Sequence, residues 1–206
     1  MARKKTCKNC KNKYQPAEGA RPFENWCSVE ARGRKKAKEA KTEREKKKQT
    51  AAARIQLKRE DLDWQKERTQ QSFNKMRVIE EKLWYYERGL EPVCISCGKP
   101  NMDWCCGHLK TRGGFPELRF DRKNTFLQCN FHCNRNLSAN LNGNKYSHGY
   151  LKGLKLRFGE EEGQSIIEYV ESPHELIKWT WQELEAFRRE INARIRELEK
   201  QLAGYV

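Results

Sequence analysis

The pattern of apolar and polar positions predicts long helices on both sides of a short cysteine-rich segment. From residue 29 to residue 88 there is no proline, and Gly33 is the only glycine, so one or two long helices are predicted. Apolar residues are scarce in the first half of this stretch. In the second half they recur at helical steps, which indicates a helix that buries one face. These positions are Ile55, Leu62, Phe73, Met76, Ile79, Leu83 and Tyr86.

Two explanations remain open for this buried face. It packs against the rest of the same chain, or it forms a coiled coil between two chains of a homodimer. Polar residues at Lys58 and Gln65 and an interruption at Thr69 weigh against a long coiled coil. Packing within the chain is therefore favoured.

Three further helices are predicted after residue 146. Gly159 ends the first, and Ser172 with Pro173 ends the second. The third begins near Thr180, a suitable N-cap with Glu183 three residues on as its capping-box partner. Their apolar residues are Tyr150, Leu151, Leu154, Leu156 and Phe158; Ile166, Ile167, Tyr169 and Val170; and Leu184, Phe187, Ile191, Ile195, Leu198 and Leu202.

Composition limits the size of the core and points to a polyanionic partner. Of the 206 residues, 36% are hydrophobic and 34% are charged, which disfavours one large core. A formal net charge of +15 is expected of a protein that displaces counterions from nucleic acid. No apolar run approaches the roughly 18 residues of a membrane span. A soluble, cytoplasmic protein is expected.

The strongest charge bias lies in residues 32 to 59, which contain 13 Lys and Arg residues against three acidic ones. Such a run is either a solvated helical arm or an arm that tracks DNA, since self-repulsion is relieved when a counter-charge is present. Five lysines of this arm are candidate DNA contacts: Lys35, Lys36, Lys46, Lys47 and Lys48.

Cysteine spacing predicts a structural zinc site. Cys94 and Cys97 are separated by two residues and Cys129 and Cys133 by three, so two pairs of thiolates can close one tetrahedral ion. All four ligands come from the protein, which leaves no open position for chemistry. Nine cysteines could instead form disulfides, but the odd number and the spacing favour a metal.

One ligand of this site has a competitor. His132 stands three residues after Cys129, at the more usual spacing. Cys133 is favoured because Asn134 then falls at the start of a helix, where the site needs it.

Three more cysteines, Cys7, Cys10 and Cys27, suggest a second zinc knuckle near the N-terminus. Ala31 occupies the place of a fourth ligand. The knuckle is either degraded or is completed by an unusual ligand such as Glu30 or by a partner chain.

The candidate catalytic residues lie between and beside the zinc ligands. His108 can act as general base, because an imidazole takes a proton from water at neutral pH; the alternative is a packing residue. Asn124 is placed to hold the hairpin loop and orient the base, or is an ordinary turn residue. Asn134 can offer its carbonyl oxygen to Mg²⁺. This order of residues is that of an HNH (ββα-metal) nuclease.

A second ligand for that cation is less clear. Many HNH enzymes place Asp or His directly before the base, where this chain has Gly107. The substitutes nearby are Asp103, Cys105 and Asp121, and Cys105 with Cys106 can equally be buried thiols. Basic residues that can seat phosphates are Lys110, Arg112, Arg119, Arg122, Lys123 and Arg135.

Several stretches resemble the NinG family of lambdoid phages. They are residues 94–98 (CISCG), 107–108 (GH), 116–124 (PELRFDRKN), 128–129 (QC) and 133–141 (CNRNLSANL). The resemblance covers nearly the whole chain and implies a phage-encoded endonuclease that cuts branched recombination intermediates, such as Holliday junctions and D-loops, with Mg²⁺ or Mn²⁺. Ala31 in place of a cysteine, Cys106 in place of an alanine and the extra residue before Cys133 depart from the family pattern.

The predicted fold class is α+β: a small HNH-like ββα-metal zinc module flanked by a long basic N-terminal helix and C-terminal helices. The predicted segments are a cysteine knuckle at 1–28, a basic helical arm at 29–90, the nuclease core at 91–145 and a helical region at 146–206. Two other functions compete, a non-catalytic zinc protein that binds DNA in recombination and an HNH nuclease that cuts duplex DNA.

Overall fold

The computed structural model describes residues 4–7, 11–15, 29–136 and 141–205. Over these ranges the chain forms five α-helices and two small antiparallel sheets, so the predicted α+β class is confirmed. The chain divides into two compact units, Met1–Lys58 and Arg59–Val206. No helix in the described part of the chain has an apolar stretch long enough to cross a membrane.

The first unit contains a two-stranded sheet and most of a long helix. Strands β1 (Lys5–Thr6) and β2 (Lys13–Tyr14) pair antiparallel. Cys7 follows β1 and is fully buried, and its amide donates to the carbonyl of Asn12 (2.7 Å). Cys10 and Cys27 lie outside the described residues, so the second zinc site stays a prediction.

Helix α1 (Val29–Glu60) confirms the long basic helix that the sequence predicts. Its described side chains as far as residue 58 are exposed, apart from the half-buried Lys35. Lys47 pairs with Glu43 one turn earlier (2.9 Å), and Lys35 pairs with Glu39 (3.7 Å). Such exposed pairs contribute little to stability. DNA contact by this helix stays a prediction.

Asp61 divides the predicted helical stretch into two. Its carboxylate accepts hydrogen bonds from the amides of Asp63 and Trp64, both at 3.0 Å, and so caps helix α2 (Leu62–Tyr86). An N-cap of this kind satisfies donors that the first turn leaves unpaired. Ile55 in α1 and Leu62 at the start of α2 are 68% and 36% exposed, because the apolar contact of α2 begins only at Phe73. The prediction that these two residues belong to the buried face is therefore wrong.

The remaining apolar face of α2 packs within the chain, against helix α5 (Trp181–Leu202). The buried residues of this contact are Phe73, Met76, Ile79 and Leu83 from α2, and Ile191, Ile195 and Leu198 from α5. The predicted capping box of α5 is confirmed. Thr180 Oγ1 accepts from the Glu183 amide (3.2 Å), and the Thr180 amide donates to the Glu183 carboxylate (2.8 Å). A homodimer stays a prediction.

A second sheet packs against α2 and carries the candidate histidine. Strand β3 (Trp104–His108) pairs antiparallel with β4 (Thr125–Cys129), so that His108 faces Thr125 and Trp104 faces Cys129. The connection between the strands contains a 3₁₀ helix at Pro116–Leu118.

Helices α3 (Tyr150–Phe158) and α4 (Glu160–Glu171) complete the core of this sheet. Its buried residues are Ile95, Leu109, Leu118, Phe126, Tyr150, Leu154, Ile167 and Val170. Helix α3 passes very close to the loop that holds Cys94 and Cys97, because a Cβ on Gly153 would lie 1.7 Å from the carbonyl oxygen of Ile95. Only glycine permits this approach.

A buried set of ion pairs, here called the Glu81 network, fixes α2 on β4 and α3. It consists of Arg77, Glu80, Glu81 and Arg157. Glu81 is 4% exposed; it pairs with Arg77 (2.8 Å) and with Arg157, and it accepts from the amide of Leu127 (2.9 Å). Buried charges are tolerated only when they are paired and hydrogen-bonded in this way.

The ββα prediction is met in part. After β4 the described residues contain a 3₁₀ helix, Asn134–Asn136, where an HNH module has an α-helix. Residues 137–140 lie outside the described ranges. The two paired strands are therefore present, and the HNH-like module stays a prediction.

Candidate functional site

Four cysteines meet at one point between the loop before β3 and the end of β4. The Sγ atoms of Cys94, Cys97, Cys129 and Cys133, here called the cysteine group, all lie within 4.8 Å of one another. The Cys97 and Cys129 sulfurs are 4.0 Å apart. Sulfurs bound tetrahedrally at a Zn–S distance of about 2.3 Å would be roughly 3.8 Å apart. The spacing therefore fits a metal ion such as zinc.

The surroundings of the cysteine group also favour a cation. Three of the four residues are buried, and Cys97 is half-buried. Burial raises the pKa of the Cys94 thiol to about 12 and raises that of Cys133 as well. Thiolates in this position need a positive ion to offset the loss of solvation. His132, the competing ligand, is exposed and lies outside the group.

His108 ends β3 with its imidazole almost entirely out of water. The residue is 6% exposed, and its Nε2 has no hydrogen-bond partner among the described residues. Burial lowers the pKa of His108 to about 4, and the positive charge of Arg112 acts in the same direction. The ring is therefore neutral at neutral pH, and a neutral Nε2 without a donor can accept a proton.

A cleft of about 580 Å³, here called the His108 cleft, opens beside this ring. Asn134 lines the same cleft, together with Thr111 and Arg112 from the loop after β3. The chain thus brings two of the three predicted catalytic residues to one concave surface. A lining histidine with an unpaired buried nitrogen is a common feature of binding and catalytic sites.

Asn124, the third predicted residue, is fully buried behind the cleft. Its Oδ1 accepts from the amide of Lys110 (2.7 Å), and its Nδ2 donates to the carbonyls of Lys110 (3.0 Å) and Leu118 (3.1 Å). Its own carbonyl accepts from the amide of Leu109 (2.9 Å). These bonds fix the loop that immediately follows His108.

Arg77 of helix α2 supports His108 through Thr125, a residue of the opposite strand. Its guanidinium donates to the side chain (3.0 Å) and to the carbonyl (2.8 Å) of Thr125, the residue paired with His108 across the sheet. Tyr150 OH donates to the carbonyl of Gly107 (2.9 Å). The backbone on both sides of the base is therefore held by buried side chains.

The candidates for a second cation ligand do not converge on the cleft. Asp121 accepts from the amide of Lys123 and from Tyr169 OH, both at 2.7 Å, and Asp103 accepts from Asn130 (3.2 Å). Of the three, only Cys105 lines the cleft, and burial raises the pKa of its thiol to about 12. The described lining contains no carboxylate.

The predicted phosphate contacts are spread over several surfaces. Arg112 lines the cleft, and the positive charges of Arg112 and Arg119 both lower the pKa of His108. The other five, Arg119 among them, lie outside the lining. Arg122 pairs with Glu80 (2.8 Å), and three face aromatic rings: Lys110 on Phe115 (5.1 Å), Lys123 on Tyr169 (4.3 Å) and Arg135 on Phe131 (5.4 Å).

Helix α2 supplies a wall of the cleft that the sequence does not predict. Asn74 and Lys75 line it, next to Val78 and Ile79. The only sequence signal is their position on the polar flank of the apolar face, which describes most residues of any amphipathic helix.

The fold and site define an α+β protein with a four-cysteine group that can bind a metal ion, placed beside a histidine cleft. The sequence model described as "Bacteriophage Lambda NinG protein" matches residues 1–201. The chain belongs to this family.

Named relatives agree with that assignment. Protein ninG of Enterobacteria phage H19B is 31% identical over 216 aligned residues, which cover 96% of this chain and 94% of the relative. The alignments with the ninG proteins of Salmonella phage P22 (31% identical) and Escherichia phage lambda (30%) each cover 54% of this chain and 50% of the relative. The chain thus spans about half the length of these two relatives. No solved structure matches.

Proposed function

We propose that the protein is a structure-specific DNA endonuclease that hydrolyses phosphodiester bonds in branched recombination intermediates, such as Holliday junctions and D-loops. The observation that carries this proposal is that His108, neutral and with a buried, unpaired Nε2, lines the same cleft as Asn134. A buried base without a partner is costly unless a ligand or water completes it. The order of the residues around it is that of an HNH nuclease.

In this proposal His108 is the general base. Its Nε2 takes a proton from the attacking water as the water oxygen bonds to phosphorus, and the bond from phosphorus to the leaving oxygen breaks. Asn124 keeps the ring in place by fixing the loop behind it. The cysteine group holds a structural Zn²⁺, which braces Asn134 directly after Cys133 and has no part in the hydrolysis.

The cleft fits a catalytic Mg²⁺ or Mn²⁺ in part. Asn134 offers a neutral oxygen at a partly exposed position, and the described lining adds no carboxylate. A divalent ion would be held by Asn134, water and the phosphate oxygens of the substrate, so it is expected to bind together with DNA. When bound, it would stabilise negative charge on the scissile phosphate and the leaving oxygen.

The preference for branched DNA is proposed from the distribution of charge. The basic helix α1 and the basic residues around the cleft belong to different units of the chain, and separate basic surfaces can contact more than one duplex arm. A homodimer would match the two-fold symmetry of a junction. The host cytoplasm, where phage recombination takes place, is the proposed location.

A cleavage assay on four-way junction, flap and linear DNA, with and without Mg²⁺, tests the function. His108→Ala is expected to reduce cleavage by about 10²–10⁴-fold while DNA binding is retained, because only the proton transfer is lost. His174→Ala is the matched control, since His174 bonds the carbonyl of Tyr169 and does not line the cleft. Equal cleavage by the two variants would contradict the proposed role of His108.

Two alternatives are decided by the same assay. The carboxylate-free lining favours a non-catalytic zinc protein that binds recombining DNA, for which no condition gives cleavage and His108→Ala changes nothing. An HNH nuclease for duplex DNA would cut the constituent duplexes as fast as the junction.

Deleting residues 32–59 should reduce junction affinity more than duplex affinity; an equal reduction would contradict junction selectivity.

A further inference from the structure

We infer that Lys75 of α2 is a phosphate contact on the second wall of the His108 cleft, and that Glu199 of α5 covers it in the free protein. The inference rests on the proposed function, because the ligand is a phosphodiester of the DNA strand. It adds a residue and a competing carboxylate that lie outside the HNH-like segment.

Lys75 lines the same cleft as His108 and Asn134, but it comes from a different element, helix α2. His108, which also lines the cleft, is 6% exposed and has a buried Nε2 without a hydrogen-bond partner among the described residues, an independent sign that a ligand or water completes the site. A strand that reaches His108 would therefore pass beside α2.

The charge of the described cleft lining is positive. Lys75 and Arg112 are its charged residues in the described part of the chain, and both are cations. Each is paired with a carboxylate that is not part of the lining: Lys75 Nζ with Glu199 Oε1 at 2.7 Å, and Arg112 Nη1 with Glu67 Oε2 at 3.8 Å. The ligand that suits such a surface is an anion, and in a nuclease cleft that anion is a phosphate.

The side chains of Lys75 and Glu199 are 59% and 47% exposed, so salt and solvent screen their attraction. A phosphate diester can displace the Glu199 carboxylate at little cost. Lys75 and Glu199 should consequently have opposite effects on DNA affinity.

The experiment compares four single variants of the full chain with the wild type. Lys75→Gln and Glu199→Gln are the test variants. Lys66→Gln and Glu197→Gln are the controls, since they make the same charge changes on the same two helices, in the pairs Lys66–Asp63 (3.4 Å) and Arg194–Glu197 (3.2 Å), away from the cleft. Fluorescence anisotropy gives the affinity for a four-way junction across a salt series, and single-turnover cleavage is measured alongside.

Lys75→Gln should make the negative slope of log affinity against log salt shallower by about 0.9, the value for one phosphate contact. This change corresponds to a roughly eightfold loss of affinity at 0.1 M salt. Glu199→Gln should raise affinity relative to Glu197→Gln. Lys75→Arg should restore binding because it keeps the charge. The slope change and the rescue separate a phosphate contact from a structural role.

The inference is overturned if Lys75→Gln binds like Lys66→Gln, if Glu199→Gln binds like Glu197→Gln, or if the wild type does not bind DNA. A wild type that binds DNA but never cleaves it counts against the endonuclease instead. In that case the anisotropy results still decide the role of Lys75.

Discussion

The Glu81 network and the His108 cleft each contain a buried ionisable group, but the group is fully paired in the network and unpaired in the cleft. In the network, the buried carboxylate of Glu81 is paired with two arginines and a backbone amide. In the cleft, the equally buried ring of His108 leaves its Nε2 without a partner in the described structure. Thr125 joins the two, because it bonds Arg77 and pairs with His108.

Full pairing makes the Glu81 network a stabilising arrangement, whereas the unpaired Nε2 leaves His108 available for chemistry. A satisfied network holds its elements in one arrangement and has no capacity for a ligand. An unsatisfied nitrogen lowers stability and keeps a lone pair free for a substrate or water. The network therefore provides the rigid support that a site of this kind requires. Four predictions test this contrast, in order of decreasing effect.

The largest effect is expected from removing a member of the cysteine group, whose four thiols are the proposed zinc ligands. Cys129→Ser should lower the zinc content by one ion per chain and unfold the cleft side of the protein, because structural zinc contributes on the order of 10 kcal/mol to folding. Zinc is measured with a colorimetric chelator, and folding by circular dichroism. Cys105→Ser is the control, since Cys105 lies outside the cysteine group. Equal zinc contents in the two variants would exclude the proposed site.

The next effect concerns the centre of the network. Glu81→Ala should lower the free energy of unfolding by about 3–5 kcal/mol, because Arg77 and Arg157 are left buried without their shared carboxylate. Urea denaturation measures the loss. Glu87→Ala, which removes an exposed partner of Arg88, should change it by less than about 1 kcal/mol. Comparable losses in the two variants would show that Glu81 is not the centre of the network.

A smaller effect, dependent on pH, is expected in the cleft. Below about pH 6.5 the unfolded chain protonates His108, whereas the folded protein, whose His108 pKa is about 4, does not. Unfolding is therefore favoured as the pH falls, and this contribution should be about 2 kcal/mol between pH 7.5 and pH 5. Above about pH 7.5 it is constant.

Urea denaturation of wild type and His108→Gln at both pH values isolates this contribution, because the other titrating groups are common to the two proteins. The wild type should lose more stability than the variant on acidification. His174→Gln serves as the reference histidine outside the cleft. Parallel pH profiles for wild type and His108→Gln would mean that the ring is not buried in its neutral form.

The smallest effect is expected at the exposed edge of the network. Arg122 pairs with Glu80 (2.8 Å), but its side chain is 60% exposed. Arg122→Ala should therefore cost less than about 1 kcal/mol, and the cost should shrink further in high salt. A loss as large as that of Glu81→Ala would mean that the network extends to the surface.

Spacing and periodicity account for the parts of this protein that the sequence predicts well. The cysteine group follows from the intervals 94 to 97 and 129 to 133, and the start of α5 follows from Thr180 and Glu183. These features depend on residues close together in the chain, or on metal chemistry that needs a fixed number of thiols. The long helices follow from the absence of breakers.

Features that depend on distant pairing are not visible in the sequence. Glu81 meets Arg157 across 76 positions, and Lys75 faces a cleft whose histidine lies on a strand. Nothing in local spacing specifies such partners, because tertiary packing selects them. The break at Asp61 is a different case. Aspartate is a good N-cap, but Asp61 stands within a continuous run of helix formers, so its side chain alone does not predict a break there.

The close passage of α3 over the Cys94 loop has a consequence for dividing the chain into parts. Gly153 leaves no room for even a methyl group there, and Tyr150 and Leu154 are wholly enclosed by the same contact. A fragment that ends near residue 145 would lack α3, and the apolar residues that pack against Tyr150 and Leu154 would be exposed to water. The loop of Cys94 and Cys97 and helix α3 thus depend on each other for packing, and the loop should not fold when it is transplanted alone.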